Sequence, residues 1–567
     1  MNLQEKKIQP FILITVLFFC FITVLMQGIP ALAQVPRRYI WNGTFLMLLF
    51  LLLLLLFLHK KGKLTEERIV WIIIAAGMIF HCCYVLLSGL YDRQHDEGVY
   101  TGIATSQINP GHIGYIEYIY KFRKLPDMNP YQLFSYYHPP LHYALSGIWL
   151  IFLTSLGMPE DLAFENLQAL PLLYSGLLML LTYRILKKTG ACGNSLFTGL
   201  LLIALHPSLT IMSGSINNDM LSTLLLACCI YTVLCWIRDK SLKNLIFIAL
   251  SIGFGMLCKI NTAIIALPTG LLFLLDFIRT IRLREGSFPK KFWMAAKNYL
   301  LFALVSGSIG LSWIIRNLIL FHVKPGISSA TEASVMYTGN YSIWARIGIP
   351  AFSHWHFSFP FHPLSGDVIH NTWVIMFQTS LFAEVYPTEL SGLPLMLCRF
   401  VYPLAILTAL ASAILFFAVQ YQKWGNKVAK PKMATTTAPQ QQEALFLSGG
   451  YLAFLLSFAA FSIKYPYTCS SDFRYIVVCL IYIAIGLSDS GRLYPENSRA
   501  AALSRITRIA VWATLILSAI IYMTWKQWQS IPRDICAFLL PPYCCSRNVI
   551  FPEAASMSSI IAKDSRW

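Results

Sequence analysis

Long apolar stretches separated by short polar joints set the pattern of this chain from end to end. Residues 11–29, 41–58, 69–90, 166–183 and 220–237 each approach or reach the length an α-helix needs to cross the hydrocarbon layer. Comparable runs recur as far as 507–523 and bring the expected total to roughly eleven or twelve spans. The expected fold is all-α, a polytopic membrane helix bundle. Residues 11–29 follow Glu5-Lys6-Lys7, and Ala31-Leu32-Ala33 resembles a signal-peptidase site. The run is long for a signal sequence, so an uncleaved first helix is preferred, and either way Val35 lies outside.

Charge orients the bundle. His59-Lys60-Lys61-Gly62-Lys63, Arg184 to Lys188, Arg238-Asp239-Lys240 and Arg279 to Lys297 are basic joints that belong together on the cytoplasmic side. Residues 139–157 are apolar enough to suggest one more crossing, but the span 166–183 ends in the basic Arg184–Lys188 joint and must start outside. The segment 139–157 is therefore expected as an interfacial helix of the first external loop, started by Pro139 and Pro140. These rules divide the chain into two N-terminal spans (1–68) and a transmembrane core (69–420) with external loops at 91–165 and 322–392. A cytoplasmic linker (421–445), C-terminal spans (446–525) and an external tail (526–567) complete it. The second external loop carries Trp344, His354, Trp355, His356, His362 and Trp373, too aromatic for disorder.

Of 567 residues, 56% are hydrophobic and 12% charged, which excludes a soluble domain. The net charge of +18 would suggest nucleic acid in a soluble protein; here it sits in short joints and points to lipid head groups instead. The 14 cysteines form no zinc-ligand spacing and mostly lie within apolar runs.

Candidate chemistry collects on the outer face. Asp96, Glu97 and His138 come from the first loop, Asp219 from the second, Lys259 from the third, and Arg316 and Arg474 from later ones. A carboxylate there can take a proton from an acceptor, while Lys and Arg bind phosphate as point charge and planar fork. Each has a duller alternative: Asp219 can start a helix, Lys259 and Arg316 can snorkel to head groups, and Asp92 is an interfacial residue. His354, His356 and His362 suggest a metal only weakly.

Several motifs resemble one family of membrane enzymes. His95-Asp96-Glu97-Gly98-Val99-Tyr100, Gly111-His112-Ile113-Gly114-Tyr115-Ile116 and Tyr137-His138-Pro139-Pro140-Leu141 are similar to the first external loop of the C-superfamily glycosyltransferases. The nearest likeness is to the protein O-mannosyltransferases and aminoarabinose transferases. Leu205-His206-Pro207, Ser213 to Asp219, Lys259, Trp313 to Asn317 and Asp472-Phe473-Arg474-Tyr475 extend it over roughly 69–490. The resemblance implies a sugar donor linked to a polyprenyl phosphate and transfer on the non-cytoplasmic face to a protein, lipid or glycan acceptor. It implies Asp96 as general base with Glu97 beside it and Asp219 as the second-loop acid. His138, Lys259, Arg316, Arg474 and Tyr475 would face the donor phosphate, with His95, His112 and Tyr115 completing the first loop. No cofactor is demanded; a divalent metal ion is the one candidate. The two spans before residue 60 are additions to the usual core, and His138 stands where some relatives carry lysine. A bacterial plasma membrane is the expected setting, the endoplasmic reticulum membrane the alternative. A transporter or flippase is the rival from another class, but such proteins place their charges at the bilayer midplane, whereas here they lie at span ends.

Overall fold

In the computed structural model, residues 3–90, 110–283, 287–324, 337–351, 360, 368–383, 390, 392–425, 439–494 and 497–524 are described. His95, Asp96 and Glu97 lie outside them, as do His354, His356, His362 and the tail from residue 525.

Three helices open the chain: α1 (Leu3–Gly28), α2 (Arg37–Lys60) and α3 (Glu66–Leu87). Thr65 caps α3 by accepting from the Arg68 N–H, and Glu66 and Glu67 occupy its first turn, where negative charge suits the helix dipole. α4 (Gly111–Phe122) and α5 (Leu141–Ser155) fall in the stretch 91–165, which the sequence reads as the first external loop, hereafter the first external segment. α6 (Ala169–Thr189), α7 (Gly193–Leu205), α8 (Asp219–Arg238), α9 (Leu242–Cys258), α10 (Ala266–Leu283) and α11 (Phe288–Gly310) follow, and α12 (Ser312–Phe321) continues α11 after a bend of 53°. α13 (Thr372–Phe382) precedes the last four, α14 (Gly392–Gly425), α15 (Pro439–Lys464), α16 (Cys479–Leu493) and α17 (Arg499–Thr524).

Among the described residues nine helical segments are long and apolar enough to cross a membrane, and two bent pairs raise the number to eleven. The bundle is all-α, as the periodicity requires. The apolar run 194–212 is broken: His206 precedes Pro207 and takes extended backbone, so α7 ends at Leu205 and a short helix, Pro207–Met212, restarts beyond it. Gly199 lets α7 lie directly on α16, since a Cβ there would meet the Ala484 carbonyl oxygen at 2.8 Å.

The first external segment has a core of its own. Ile113, Tyr115, Ile116 and Ile119 of α4 pack with Tyr136, with Tyr143 and Leu150 of α5, and with Ile216. Leu145, Ile148 and Phe152, spaced along the opposite side of α5, stay exposed, as the apolar stripe of an interfacial helix would.

Two expectations need correction. The stretch 322–392 is not simply a loop, because α13 within it is buried and packs with Cys398, Val401 and Tyr402 of α14. Asn371 starts this helix by accepting from the N–H groups of Trp373 and Val374. Lys423 is not a solvated linker charge either: its ammonium is buried between Glu443 (2.7 Å) and Asp489 (2.6 Å), which clamps the ends of α14, α15 and α16. A buried lysine requires such partners.

Candidate functional site

Where α8 begins, the chain gathers polar side chains in an otherwise apolar bundle. Asn217 Oδ1 accepts from the Asp219 N–H at 3.1 Å, and the Asn218 side-chain amide donates to the Cys258 carbonyl at 2.9 Å. The start of α8 is thereby tied to the end of α9, one residue before Lys259. Lys259 itself is extended (φ −153°, ψ 124°), at the break between α9 and the 3₁₀ turn Ile260–Ile265.

That arrangement lets the Lys259 Nζ donate to Asp219 Oδ1. The other carboxylate oxygen, Oδ2, lies 3.6 Å from Arg474 Nη1. Arg474 is positioned by a 3₁₀ turn, Phe473–Ile476, which Asp472 caps by accepting from the Arg474 N–H at 2.8 Å. The Phe473 N–H donates to Thr379 Oγ1 of α13 at 2.9 Å, and the Phe473 ring stacks on His206 at the α7 break. Tyr475 lies under both cations, 4.6 Å from Lys259 Nζ and 5.2 Å from Arg474 Cζ to its ring centroid. Asp219, Lys259 and Arg474 are 2%, 8% and 6% exposed. Three buried charges and one aromatic ring, drawn from nearly half the length of the chain, thus form one cluster.

A second group consists of stacked rings. His112 lies 5.4 Å from His138 and 5.8 Å from Tyr143, and its Nδ1 is 2.7 Å from the Tyr143 hydroxyl. Tyr143 stacks on Tyr115 at 4.2 Å, and Tyr115 on Tyr136 at 4.8 Å. Burial raises the Tyr115 phenol well above its ordinary pKa, with Arg316 pulling the other way. Burial likewise raises Tyr143, and Tyr115, Tyr137, Cys258 and the Asp219 carboxylate add to it, which places the stack beside the charge cluster. His138 therefore sits in an aromatic column with His112, Tyr137 and Tyr143.

Arg316 stands apart. Its guanidinium lies over Trp313 at 4.4 Å, bonds Asn317 Oδ1 at 2.8 Å and donates to the Pro126 carbonyl. Between these groups runs a cleft lined by Pro130, Tyr131 and Tyr137 of the first external segment, Ile260 beside Lys259, Trp313, Asn317 and Lys324. The Trp313 Nε1–H has no hydrogen-bond partner among the described residues, although the side chain is buried. Trp313 opens a motif the sequence already shows, whereas Tyr143 carries no such mark. Tyr143 follows His142 in an apolar run, and only its place after the Tyr137–Leu141 motif could have signalled it.

Among the described residues no three His, Cys, Asp or Glu side chains stand where they could hold a metal ion. The side chains that the sequence weakly suggests for one, His354, His356 and His362, lie outside the described residues.

Residues 138–308 match the family model described as dolichyl-phosphate-mannose-protein mannosyltransferase. The stretch starts at His138 and takes in Asp219 and Lys259, so the likeness to C-superfamily membrane glycosyltransferases reaches the buried cluster. No curated protein sequence matches the chain. Solved structures of the Archaeoglobus fulgidus oligosaccharyltransferase are similar. The complex with Zn and sulfate has a TM-score of 0.42 at 13% identity, over 80% of this chain and 53% of that one. The archaeal oligosaccharyltransferase AglB complex with an inhibitory peptide and a dolichol-phosphate has 0.38 at 13%, over 81% and 55%. The chain spans about half the length of these structures.

Proposed function

We propose that this protein transfers a sugar from a polyprenyl-phosphate donor to an acceptor at the non-cytoplasmic face of the membrane. The observation that carries this reading is the pair of buried cations, Lys259 and Arg474, held by one carboxylate, Asp219, beside an aromatic cleft. A membrane protein hides two positive charges in an apolar bundle at a cost, and such groups mark function by default. A phosphate monoanion or dianion is the ligand their chemistry fits.

In the reaction the bond between the anomeric carbon and the donor phosphate oxygen breaks, and the acceptor nucleophile bonds to that carbon. The electron pair leaves on the phosphate, where Lys259 and Arg474 would meet the growing charge. The acceptor proton goes to Asp96, with Glu97 adjacent. Asp219 acts here as a positioning residue, because its carboxylate is engaged by both cations. Tyr131, Tyr137 and Trp313 line the cleft and offer ring faces and an indole N–H to the donor. His112, His138 and Tyr143 brace that wall from behind, and Arg316 secures its outer edge through the Pro126 carbonyl. The reading takes the two N-terminal helices, the core and the C-terminal spans as the sequence divides them, in a bacterial plasma membrane or, alternatively, the endoplasmic reticulum membrane.

The test is to incubate membranes containing the protein with a panel of radiolabelled polyprenyl-phosphate sugars and score label leaving the lipid pool. Transfer with at least one donor, lost in Asp96→Asn and Arg474→Ala, is the expected result. Movement of intact labelled lipid between leaflets without transfer would replace this reading with a flippase.

A further inference from the structure

The two N-terminal helices that the core does not require leave an apolar groove. α1 and α2 both lean on α3, and between them runs a cavity of about 280 Å³ lined by Ile14, Phe18, Met47, Phe50, Trp71 and Ile79. The polar atoms near it satisfy each other, the Trp71 Nε1–H donating to Thr15 Oγ1 at 3.0 Å. Thr23 Oγ1 meets Cys82 Sγ further along, so α1 and α3 run parallel and share one cytoplasmic end. Trp71 lies five residues past Glu66, and at 1.5 Å per residue the groove begins about 7–8 Å above that end and reaches about mid-membrane at Ile79.

The dimensions choose the occupant. A helix is about 10 Å across, so this cavity would admit only two or three residues of one. A single hydrocarbon chain entering from the cytoplasmic leaflet fits both the bore and the depth. The donor's chain does not, because the proposed transfer occurs at the opposite face.

The joint below the groove supplies a head-group site. Lys60, Lys61, Lys63 and Arg68 are all exposed there. The acidic residues of the joint do not cancel these four cations: Glu66 is engaged by Lys187 at 2.9 Å and by the Gly193 N–H at 2.6 Å, which leaves Glu67 alone against them. Lipid tails are as apolar as the groove walls, so discrimination between lipids falls to this basic joint.

From the groove and the joint together we infer that α1, α2 and α3 hold one anionic phospholipid of the cytoplasmic leaflet. Its acyl chain fills the space between α1 and α2 and its phosphate meets the Lys60–Arg68 joint. Because α2 is largely lipid-exposed and rests on the bundle through α3, this lipid is the second support that α2 receives.

The test is native mass spectrometry of the full-length protein, delipidated in detergent and titrated with dioleoyl phosphatidylglycerol or dioleoyl phosphatidylcholine. Expected is one phosphatidylglycerol per chain, retained at least fivefold better than phosphatidylcholine. Met47→Trp, which fills the groove, should lower that retention about tenfold, while Leu53→Trp on the exposed side of α2 should leave it unchanged. Lys61→Gln with Lys63→Gln should abolish the preference for the anionic lipid. Equal retention of both lipids by the wild type overturns the proposal, as does Met47→Trp behaving like Leu53→Trp. The folded state of each variant is checked by its transfer activity, since none of these positions lies near the Asp219 cluster.

Discussion

Lys259 and Asp219 are forty residues apart in sequence, yet the ammonium of one donates to the carboxylate of the other inside the bundle, both nearly inaccessible to solvent. Neither could stay there ionised alone. Breaking a buried ion pair by removing one partner leaves an uncompensated charge and costs on the order of 3–5 kcal/mol, whereas replacing both by apolar groups is often close to neutral. The pair is therefore a device for holding a cation ready, and its structural and chemical roles separate experimentally.

Asp219→Asn and Lys259→Met singly should each lower the thermal unfolding midpoint of the purified protein clearly. The double variant Asp219→Asn, Lys259→Met should recover only part of the loss caused by Asp219→Asn, because Arg474 stays buried without the Asp219 carboxylate, and should remain inactive in sugar transfer. Recovery of both stability and transfer in the double variant would mean the pair only supports the fold.

Arg474 offers its fork from a turn built for it, so substitution should act on the donor more than on the fold. Arg474→Ala should weaken apparent donor affinity at least tenfold, since one charge-assisted contact contributes roughly 1.5–3 kcal/mol. Arg474→Lys should recover only part of this, because the point charge returns without the planar fork. Unchanged donor binding in Arg474→Ala, measured on inserted protein, would remove Arg474 from the phosphate site.

The residues of the charge cluster could be named from the sequence because each stands at one end of an apolar span, Asp219 and Arg474 before one and Lys259 after one. Their pairing could not. Asp219 meets Arg474 across 255 positions, and that contact depends on the 3₁₀ turn at Phe473, which depends in turn on α13. α13 itself was hidden because a helix of eleven residues is too short to cross a membrane and sits among loop-like aromatics. Asn371 before Thr-Trp-Val-Ile-Met-Phe is the local signal that would have shown it, a cap followed by an apolar run. The break after His206 was legible from Pro207 alone. Lys423 misled for a general reason: a charge at the end of a span looks the same whether water or a carboxylate receives it.

His142 makes the external segment sensitive to acid. It lies in α5, outside the spans, with no hydrogen-bond partner on either ring nitrogen among the described residues. Burial, and secondarily His112, lowers its pKa from the ordinary 6.5 to about 3. The unfolded chain thus binds a proton below pH 6.5 that the folded one refuses until about 3, so stability is complete above 6.5 and falls as the pH drops between those values. His142→Leu should flatten this acid limb. Unfolding midpoints at pH 5 and 7.5 should lie closer together in the variant than in the wild type; an identical spread would contradict the assignment.

Orientation can be tested with the cysteine the protein already has. Cys192, in the joint between α6 and α7, is the exposed one among the described free cysteines and should react only with reagents on the cytoplasmic side. In a background with Cys192, Cys536, Cys544 and Cys545 replaced by Ser, Asn129→Cys and Asn340→Cys should react only from the opposite side. Asn340 serves better than its neighbour Thr338, which is buried against the Pro466 carbonyl and Arg346. Labelling of Asn129→Cys from the cytoplasm would invert the first external segment and with it the proposed face of transfer.

The sharpest test concerns Asp96. A hydroxyl or amine acceptor must lose a proton as it attacks the anomeric carbon, and general-base help is worth roughly a hundred- to ten-thousand-fold. The rival base is Asp219, but its two oxygens are turned to Lys259 and Arg474. Both Asp219 oxygens are thus already committed to cations, whereas Asp96, with Glu97 beside it in the sequence, is the acid that the family resemblance names as the base. Asp96→Asn keeps shape and most hydrogen bonding, so turnover should fall at least a hundredfold while donor affinity and unfolding midpoint stay near wild type. Asp219→Asn should instead disturb stability and donor affinity together with turnover, because it releases both cations. Glu97→Gln should cost less than Asp96→Asn. If Asp96→Asn turns over within a few-fold of the wild type while Asp219→Asn is inactive at full donor occupancy, the base is Asp219 and the cluster has to be reassigned from holding phosphate to moving a proton.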